Sequence, residues 1–202
     1  MRKDFIYLAS ASPRRRALLE QIGVAFRVRP ASICETPLPG EPYEGYAARL
    51  AAEKAAAVWR ESQAELPLAV LGADTTVAID GHILGKPGTA DEALEMLTAL
   101  SGREHRVVTA VALHHAGGVE TAIGRADVAF RATTPAERRA YCATGEPLDK
   151  AGSYGIQGCG AVFVESVKGS YSAVVGLPLA ETARLLACVG EPRWLCDVGD
   201  AA

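Results

Sequence analysis

The sequence predicts an α/β fold of the mixed α+β kind, and three observations predict it. Strand and helix signals alternate along the chain instead of clustering by type. Two long β-prone runs, Arg106–His114 and Glu120–Phe130, are joined by Ala116-Gly117-Gly118, which reads as an antiparallel hairpin in the middle of a sheet. No repeat or low-complexity tract interrupts the 202 residues, 49% of them hydrophobic and 22% charged, which suffice to bury a full core as one domain or as two intimate lobes.

The elements follow in order. Phe5–Leu8 is a short apolar strand signal, and Ser12 as N-cap with Pro13 at the first helical position starts a helix over Pro13–Ile22, held by Leu18, Leu19 and Ile22. Val24–Val28 is the next strand. Glu44–Arg60 is an alanine-rich helix whose small side chains permit close packing. Strands are expected at Leu68–Gly72 and Thr76–Ile79, with Asp80-Gly81 a hairpin turn signal behind them. Thr89–Leu100 is well punctuated, with Thr89 as cap, Asp91 and Glu92 in the first turn and Ser101-Gly102 at the end. Helices at Pro135–Ala143 and Leu179–Val189 and strands at Ala161–Glu165 and Ser172–Val175 complete the pattern. The Pro-rich Thr36–Pro42 and Gly-rich Ala151–Gly160 are the two conspicuous loops, and such loops on a rigid sheet are where chemistry collects.

Composition narrows the function classes. No apolar run approaches a membrane span and the N-terminus lacks signal-peptide regions, so a cytoplasmic protein with no membrane partner is expected. The five cysteines, at 34, 142, 159, 188 and 196, form no Cys-x-x-Cys pair and no zinc-like cluster with the four histidines, and read as reduced thiols. Net charge is −3, yet residues 1–30 carry +5 and the remainder −8. A small anion at the N-terminal end suits this asymmetry better than a nucleic acid polymer, which needs a wider basic face.

The run Ser10-Ala11-Ser12-Pro13-Arg14-Arg15-Arg16 puts three guanidinium groups in the first turn of a helix. There the macrodipole disfavours each cation by about 0.3 to 1 kcal/mol. A bound polyanion reverses that sign, because free N–H groups, dipole and arginine forks all favour phosphate; the plainer alternative is a solvated basic turn. In Leu71-Gly72-Ala73-Asp74-Thr75-Thr76 an apolar strand delivers an acid beside small residues, where Asp74 could ligate a divalent metal or take a proton from water, or simply sit at a turn. Lys86, between Gly85 and Pro87, could reach a phosphate, but no Gly-x-x-x-x-Gly-Lys-[Ser/Thr] is present, so this is not the P-loop way of holding one. Glu35 and Lys54 read individually as surface residues, although the small neighbours of Lys54 would let it be partly enclosed. In the segment from Glu146 to Gly160, four glycines surround Gln157, whose amide offers a donor and an acceptor to the edge of a base; a tight connection is the alternative.

Together Ser-x-Ser-Pro-Arg-Arg, Arg-Leu-Ala-x-Glu-Lys-Ala, Leu-Gly-Ala-Asp-Thr, Gly-Lys-Pro, Leu-Ser-Gly with His105, Asp-Lys-Ala-Gly-x-Tyr-Gly-Ile-Gln-Gly and Val-Val-Gly-Leu-Pro-Leu occur in order. This set resembles the Maf family of nucleoside triphosphate pyrophosphatases over roughly residues 5 to 188, leaving the tail from Gly190, with Trp194 and Cys196, outside. The resemblance implies an elongated mixed β-sheet flanked by helices, with two lobes and a central cleft, like inosine triphosphate pyrophosphatases. It implies hydrolysis of a nucleoside triphosphate to the monophosphate and pyrophosphate with a divalent cation, Mg²⁺, Mn²⁺ or Co²⁺, and a homodimer is common in the family. By matched position Asp74 resembles the catalytic base and Glu35 a residue that holds metal or orients water; base and metal ligand both stay open for Asp74. Ser10, Arg14, Arg15, Lys54 and Lys86 resemble the triphosphate grip.

Arg14, Thr75 and Gln157 match the positions that separate the family's subgroups, and here they look like the dTTP/UTP-directed type. The sister group, directed to 7-methyl-GTP, carries an aromatic, a glutamine and an acid at those positions. Alternatives are modified pyrimidine triphosphates as the target in a pool-cleaning role, a 7-methyl-GTP-directed pyrophosphatase, and a nucleotide-binding regulator of septum formation and cell division.

Overall fold

The computed structural model describes residues 5–65 and 67–190. Trp194 and Cys196 lie outside the described residues. Seven strands form one mixed sheet in the order β2-β1-β3-β5-β6-β7, with β4 paired to β3. They are β1 (Ile6–Leu8), β2 (Phe26–Val28), β3 (Ala69–Ile79), β4 (His82–Leu84), β5 (Glu104–His115), β6 (Gly118–Phe130) and β7 (Val164–Gly169). The helices are α1 (Pro13–Gln21), α2 (Tyr43–Glu61), α3 (Ala90–Leu100), α4 (Pro135–Cys142), α5 (Tyr171–Val175) and α6 (Leu179–Ala187). β1 runs parallel to both β2 and β3, while every other pairing is antiparallel. The expected mixed sheet flanked by helices and the central β5–β6 hairpin are both present.

The caps form as their sequences require. The side chains of Ser12, Thr89 and Thr134 each accept a hydrogen bond from the first turn of α1, α3 and α4. Asp80 and Gly81 take φ of 52° and 79°, the mirror-image turn that joins β3 to β4 without splaying the strands.

Three expectations need correction. Leu68–Gly72 and Thr76–Ile79 are one eleven-residue strand, β3, so Asp74 sits mid-strand and not at a turn. Gly72 serves packing: a Cβ there would lie 2.8 Å from the Ala55 N of α2 and would also overlap the Ala51 carbonyl, so only glycine lets α2 lie this close. Ser172–Val175, strand-like by its β-branched residues, is the short helix α5, because the Ser170 side chain accepts from Ala173 N and caps it. Ala161–Glu165 divides between a 3₁₀ turn, Cys159–Phe163, and the start of β7.

β3 separates two packed layers. Its even-numbered residues, with Tyr7, Ala9, Val108, Ala110 and Ala112, meet the alanine face of α2 at Ala47, Ala51, Ala55 and Val58. Its odd-numbered residues join Leu18 and Leu19 of α1, Val175 and Leu177, and Leu185 and Leu186 of α6 at one end, and Leu97, Leu100, Phe130 and Tyr154 at the other. β5 accompanies β3 over Val70–Ala78. On the opposite side β1 pairs only through Leu71 and β4 only from Val77, so residues 72–76 border an opening in the sheet. An opening beyond the carboxyl end of a parallel strand, where the chain departs into a helix, is where α/β sheets place ligands.

Candidate active site

A cleft of about 400 Å³ occupies this opening. Ser10, Arg14, Arg15, Glu35, Lys54, Asp74, Thr75, Lys86 and Gln157 all line it, although they come from separate parts of the chain.

On the α2 side of β3 the cleft is built of charge. The Lys54 Nζ lies 2.6 Å from Glu35 Oε1 and 2.8 Å from Asp74 Oδ1. Lys54 and Asp74 side chains are each 10% exposed, so this is an enclosed cation between two acids and not the surface residue that Lys54 suggests in isolation. Lys86, 61% exposed, stands 3.7 Å from the other Glu35 oxygen at the mouth. Partial burial pushes the Glu35 carboxyl up, but its hydrogen bond to Lys54 and the nearby Lys86 and Arg15 outweigh this and hold it below the usual carboxylate range. Among the described residues Asp74 Oδ2 has only a long, 3.5 Å contact from Thr76 Oγ1.

The loop that delivers Glu35 is tied to α2. The Tyr46 hydroxyl donates to the Glu35 carbonyl at 2.7 Å, and Arg49 grips Glu41 with two 2.7 Å bonds and reaches the Thr36 carbonyl at 3.2 Å. Arg49 draws the Glu41 carboxyl down to about 2. Arg49 opens the Arg-Leu-Ala-x-Glu-Lys-Ala motif, which was its only signal in the sequence; Tyr46 and Glu41 gave none.

On the opposite side of β3 the cleft is built of directed hydrogen bonds. Arg15 donates to Gly176 O at 2.8 Å, Ser10 Oγ at 3.1 Å and Thr75 Oγ1 at 3.1 Å, leaving part of its fork for a ligand. Burial lowers its pKa, but a guanidinium stays charged. Arg14 lies 3.8 Å from Asp149 and Arg16 is exposed. Ser10 Oγ accepts from both Arg15 and Ser12 N, so its own proton is free to donate.

Gln157 is exposed on a loop whose interior is filled by protein. Glu146 accepts from Cys159 N at 2.9 Å, from Gly160 N at 3.3 Å and from Tyr141 OH at 2.8 Å. Tyr141 in turn accepts from Gly155 N at 3.1 Å. The four glycines admit the Glu146, Tyr141 and Lys150 side chains and Val77, and Gly155 also lines the cleft. Beneath the loop His105 Nε2 and Tyr154 OH are 2.9 Å apart, and burial pushes the His105 pKa down to about 4.

Glu35 and Asp74 fit a magnesium-like ion by donor chemistry: two hard carboxylates suffice when water and substrate phosphates complete the coordination. Among the described residues no group of three or more His, Cys, Asp or Glu forms an all-protein cage.

The family model for Maf-like proteins matches residues 5–189. The chain belongs to the Maf-like protein family. It is 52% identical to a dTTP/UTP pyrophosphatase of Aromatoleum aromaticum, over 93% of this chain and 96% of that one. It is 51% identical to a dTTP/UTP pyrophosphatase of Chromobacterium violaceum (92% and 94% covered) and 53% to one of Anaeromyxobacter dehalogenans (93% and 95%). Among solved structures, the Ham1 protein of Staphylococcus aureus aligns with a TM-score of 0.42 at 14% identity, covering 62% of this chain and 71% of that one. In this Maf chain the cleft also contains Asp149, Lys150 and Tyr154 of the Asp-Lys-Ala-Gly-x-Tyr-Gly-Ile-Gln-Gly motif. No helix among the described residues is long and apolar enough to cross a membrane.

Proposed function

We propose that this chain hydrolyses dTTP and UTP to the monophosphate and pyrophosphate, and that the cleft at residues 72–76 is its active site. The observation that carries the reading is the convergence of Asp74 and Glu35 on the enclosed Lys54, facing the Arg14–Arg15 turn and Gln157 across one cleft. Relatives at 51–53% identity that bear the name dTTP/UTP pyrophosphatase support the substrate class.

Water attacks the α-phosphorus, the bond from that phosphorus to the bridging oxygen breaks, and pyrophosphate leaves with the bridging oxygen. Asp74 has one oxygen on Lys54 and the other nearly free, which suits it to hold the attacking water and take its proton. The Ser10 hydroxyl, with both acceptor positions used, donates to a phosphate oxygen. Arg14, the remaining Arg15 N–H groups, Lys54 and Lys86 offset charge on the phosphates and the departing pyrophosphate. Glu35 and Asp74 would hold a divalent cation, which supplies charge neutralisation on the phosphate oxygens when bound. Gln157, a neutral amide, meets the O4 and N3–H edge of uracil or thymine with its N–H donating to O4.

The test is pyrophosphate release from a panel of nucleoside triphosphates including 7-methyl-GTP and ITP, with and without Mg²⁺ or Mn²⁺, with Asp74→Asn as control. Metal-dependent turnover of dTTP and UTP that vanishes in the variant is expected; turnover of 7-methyl-GTP in preference, or of no nucleotide, overturns the reading.

A further inference from the structure

Thr75 stands directly opposite Thr109 in the β3–β5 ladder, and their hydroxyl oxygens are 2.8 Å apart. Thr109 is fully buried and its hydroxyl donates to the Ala173 carbonyl of α5 at 2.6 Å. A carbonyl has no proton to give, so the single Thr109 proton is committed there, and toward Thr75 the Thr109 oxygen can only accept. The single Thr75 proton is therefore drawn to Thr109. Arg15 Nη2 donates to Thr75 Oγ1 from the other side at 3.1 Å. The chain of bonds has one direction throughout, from Arg15 to Thr75 to Thr109 to Ala173, and the Thr75 oxygen turns one remaining lone pair to the cleft that it lines.

An oxygen fixed as an acceptor repels a phosphate and selects a ligand N–H or O–H. Ser10, five residues before Arg15, has the opposite polarity: it accepts twice and keeps a proton to donate. The two hydroxyls that share the Arg15 guanidinium thus present opposite faces to one ligand, a donor suited to phosphate and an acceptor suited to a base.

We infer that Thr109 is a positioning residue for selectivity: it locks the Thr75 hydroxyl as an acceptor, so that the cleft takes a base with an N3–H, uracil or thymine, and rejects cytosine, whose N3 is itself an acceptor. This rests on the reading of the cleft as a pyrimidine triphosphatase site. With uracil the Thr75 lone pair meets an N–H, whereas cytosine sets two lone pairs against each other.

The experiment compares kcat/KM for UTP and for CTP, with Mg²⁺, in the wild-type chain, Thr109→Val, Thr109→Ser and Thr75→Val, alongside thermal melts. In Thr109→Val the Thr75 proton is free to turn to the cleft, and the UTP-over-CTP ratio falls about tenfold, the effect of one hydrogen bond of ordinary strength. Thr109→Ser keeps the hydroxyl and restores the ratio; Thr75→Val lowers it. Equal losses on both substrates in Thr109→Val, with the ratio unchanged, mean that Thr109 only supports the fold and overturn the inference. Should Thr109→Val not fold, an unchanged ratio in Thr75→Val overturns it equally. A wild-type chain that turns over neither UTP nor dTTP overturns the parent reading, and is distinguishable because no variant is needed to see it.

Discussion

The two sides of β3 at the cleft differ in kind although they meet at adjacent residues. Asp74 points toward α2, where its carboxylate and that of Glu35 both lie within 2.8 Å of the Lys54 ammonium. Thr75 points the other way, where it joins the Arg15 guanidinium to a line of neutral hydroxyl and carbonyl groups that ends at Ala173. Alternation along a strand lets one short segment supply both. Charge in an enclosed site acts strongly on a reaction that moves charge, whereas oriented neutral dipoles discriminate between ligands whose donors and acceptors differ. The Glu35–Lys54–Asp74 group on the α2 side should therefore govern turnover and the Thr75–Thr109 line on the opposite side choice of base, with Ser10, Arg14 and Arg15 beside that line gripping the phosphates.

The largest effect that would break this comparison comes from Asp74→Asn, expected to lower kcat for UTP by roughly a thousandfold with little change in melting temperature. A variant that keeps most of its activity would remove the α2 side from the chemistry. Lys54→Met sharpens the point through pH. With the main cation that lowers Glu35 gone, Glu35 titrates higher, so the acidic limb of the pH–rate profile moves to higher pH; a limb that stays in place would show that Glu35 does not govern it. Gly72→Ala pushes α2 off β3 and should cost about 1–3 kcal/mol, read by denaturant unfolding, with a loss of kcat as Lys54 is displaced.

On the selective side, Gln157→Glu should lower kcat/KM for UTP about tenfold while leaving inhibition by pyrophosphate nearly unchanged, since the latter has no base to read. Equal losses in both would count against a base contact. The effect most remote from the chemistry concerns the support beneath the Gln157 loop. His105 titrates at about 4 in the fold against 6.5 when unfolded, so the unfolded chain binds the proton first. Its contribution is intact above pH 6.5 and is lost as pH falls from there to about 4, by about 3 kcal/mol in all. Melting temperature should decline over that window, and the decline should flatten in His105→Gln.

Much of this was legible in the sequence because the motifs sit at element ends or faces that local chemistry defines. Ser12-Pro13 fixes where α1 begins, and hence where Arg14 and Arg15 stand; the alanines around Lys54 announce a helix that packs closely. Other parts depend on partners distant in the chain. The strand signal breaks between Gly72 and Thr76, and only the close approach of α2 at Gly72 explains why a glycine stands inside a continuous strand. Ser172–Val175 has strand propensity, but the Ser170 cap and the burial of Ala173 and Val175 against the sheet favour a helix. Thr109 carried no signal at all: a threonine in an apolar strand acquires meaning only from the register that sets it opposite Thr75.

The most direct test of the central claim is hydrolysis of UTP in ¹⁸O-labelled water with Mg²⁺, followed by mass spectrometry of both products. Water held by Asp74 at the α-phosphorus puts one labelled oxygen in UMP and none in pyrophosphate. Label in pyrophosphate, or release of orthophosphate in its place, would mean that attack occurs further along the triphosphate and that the cleft does not work as described.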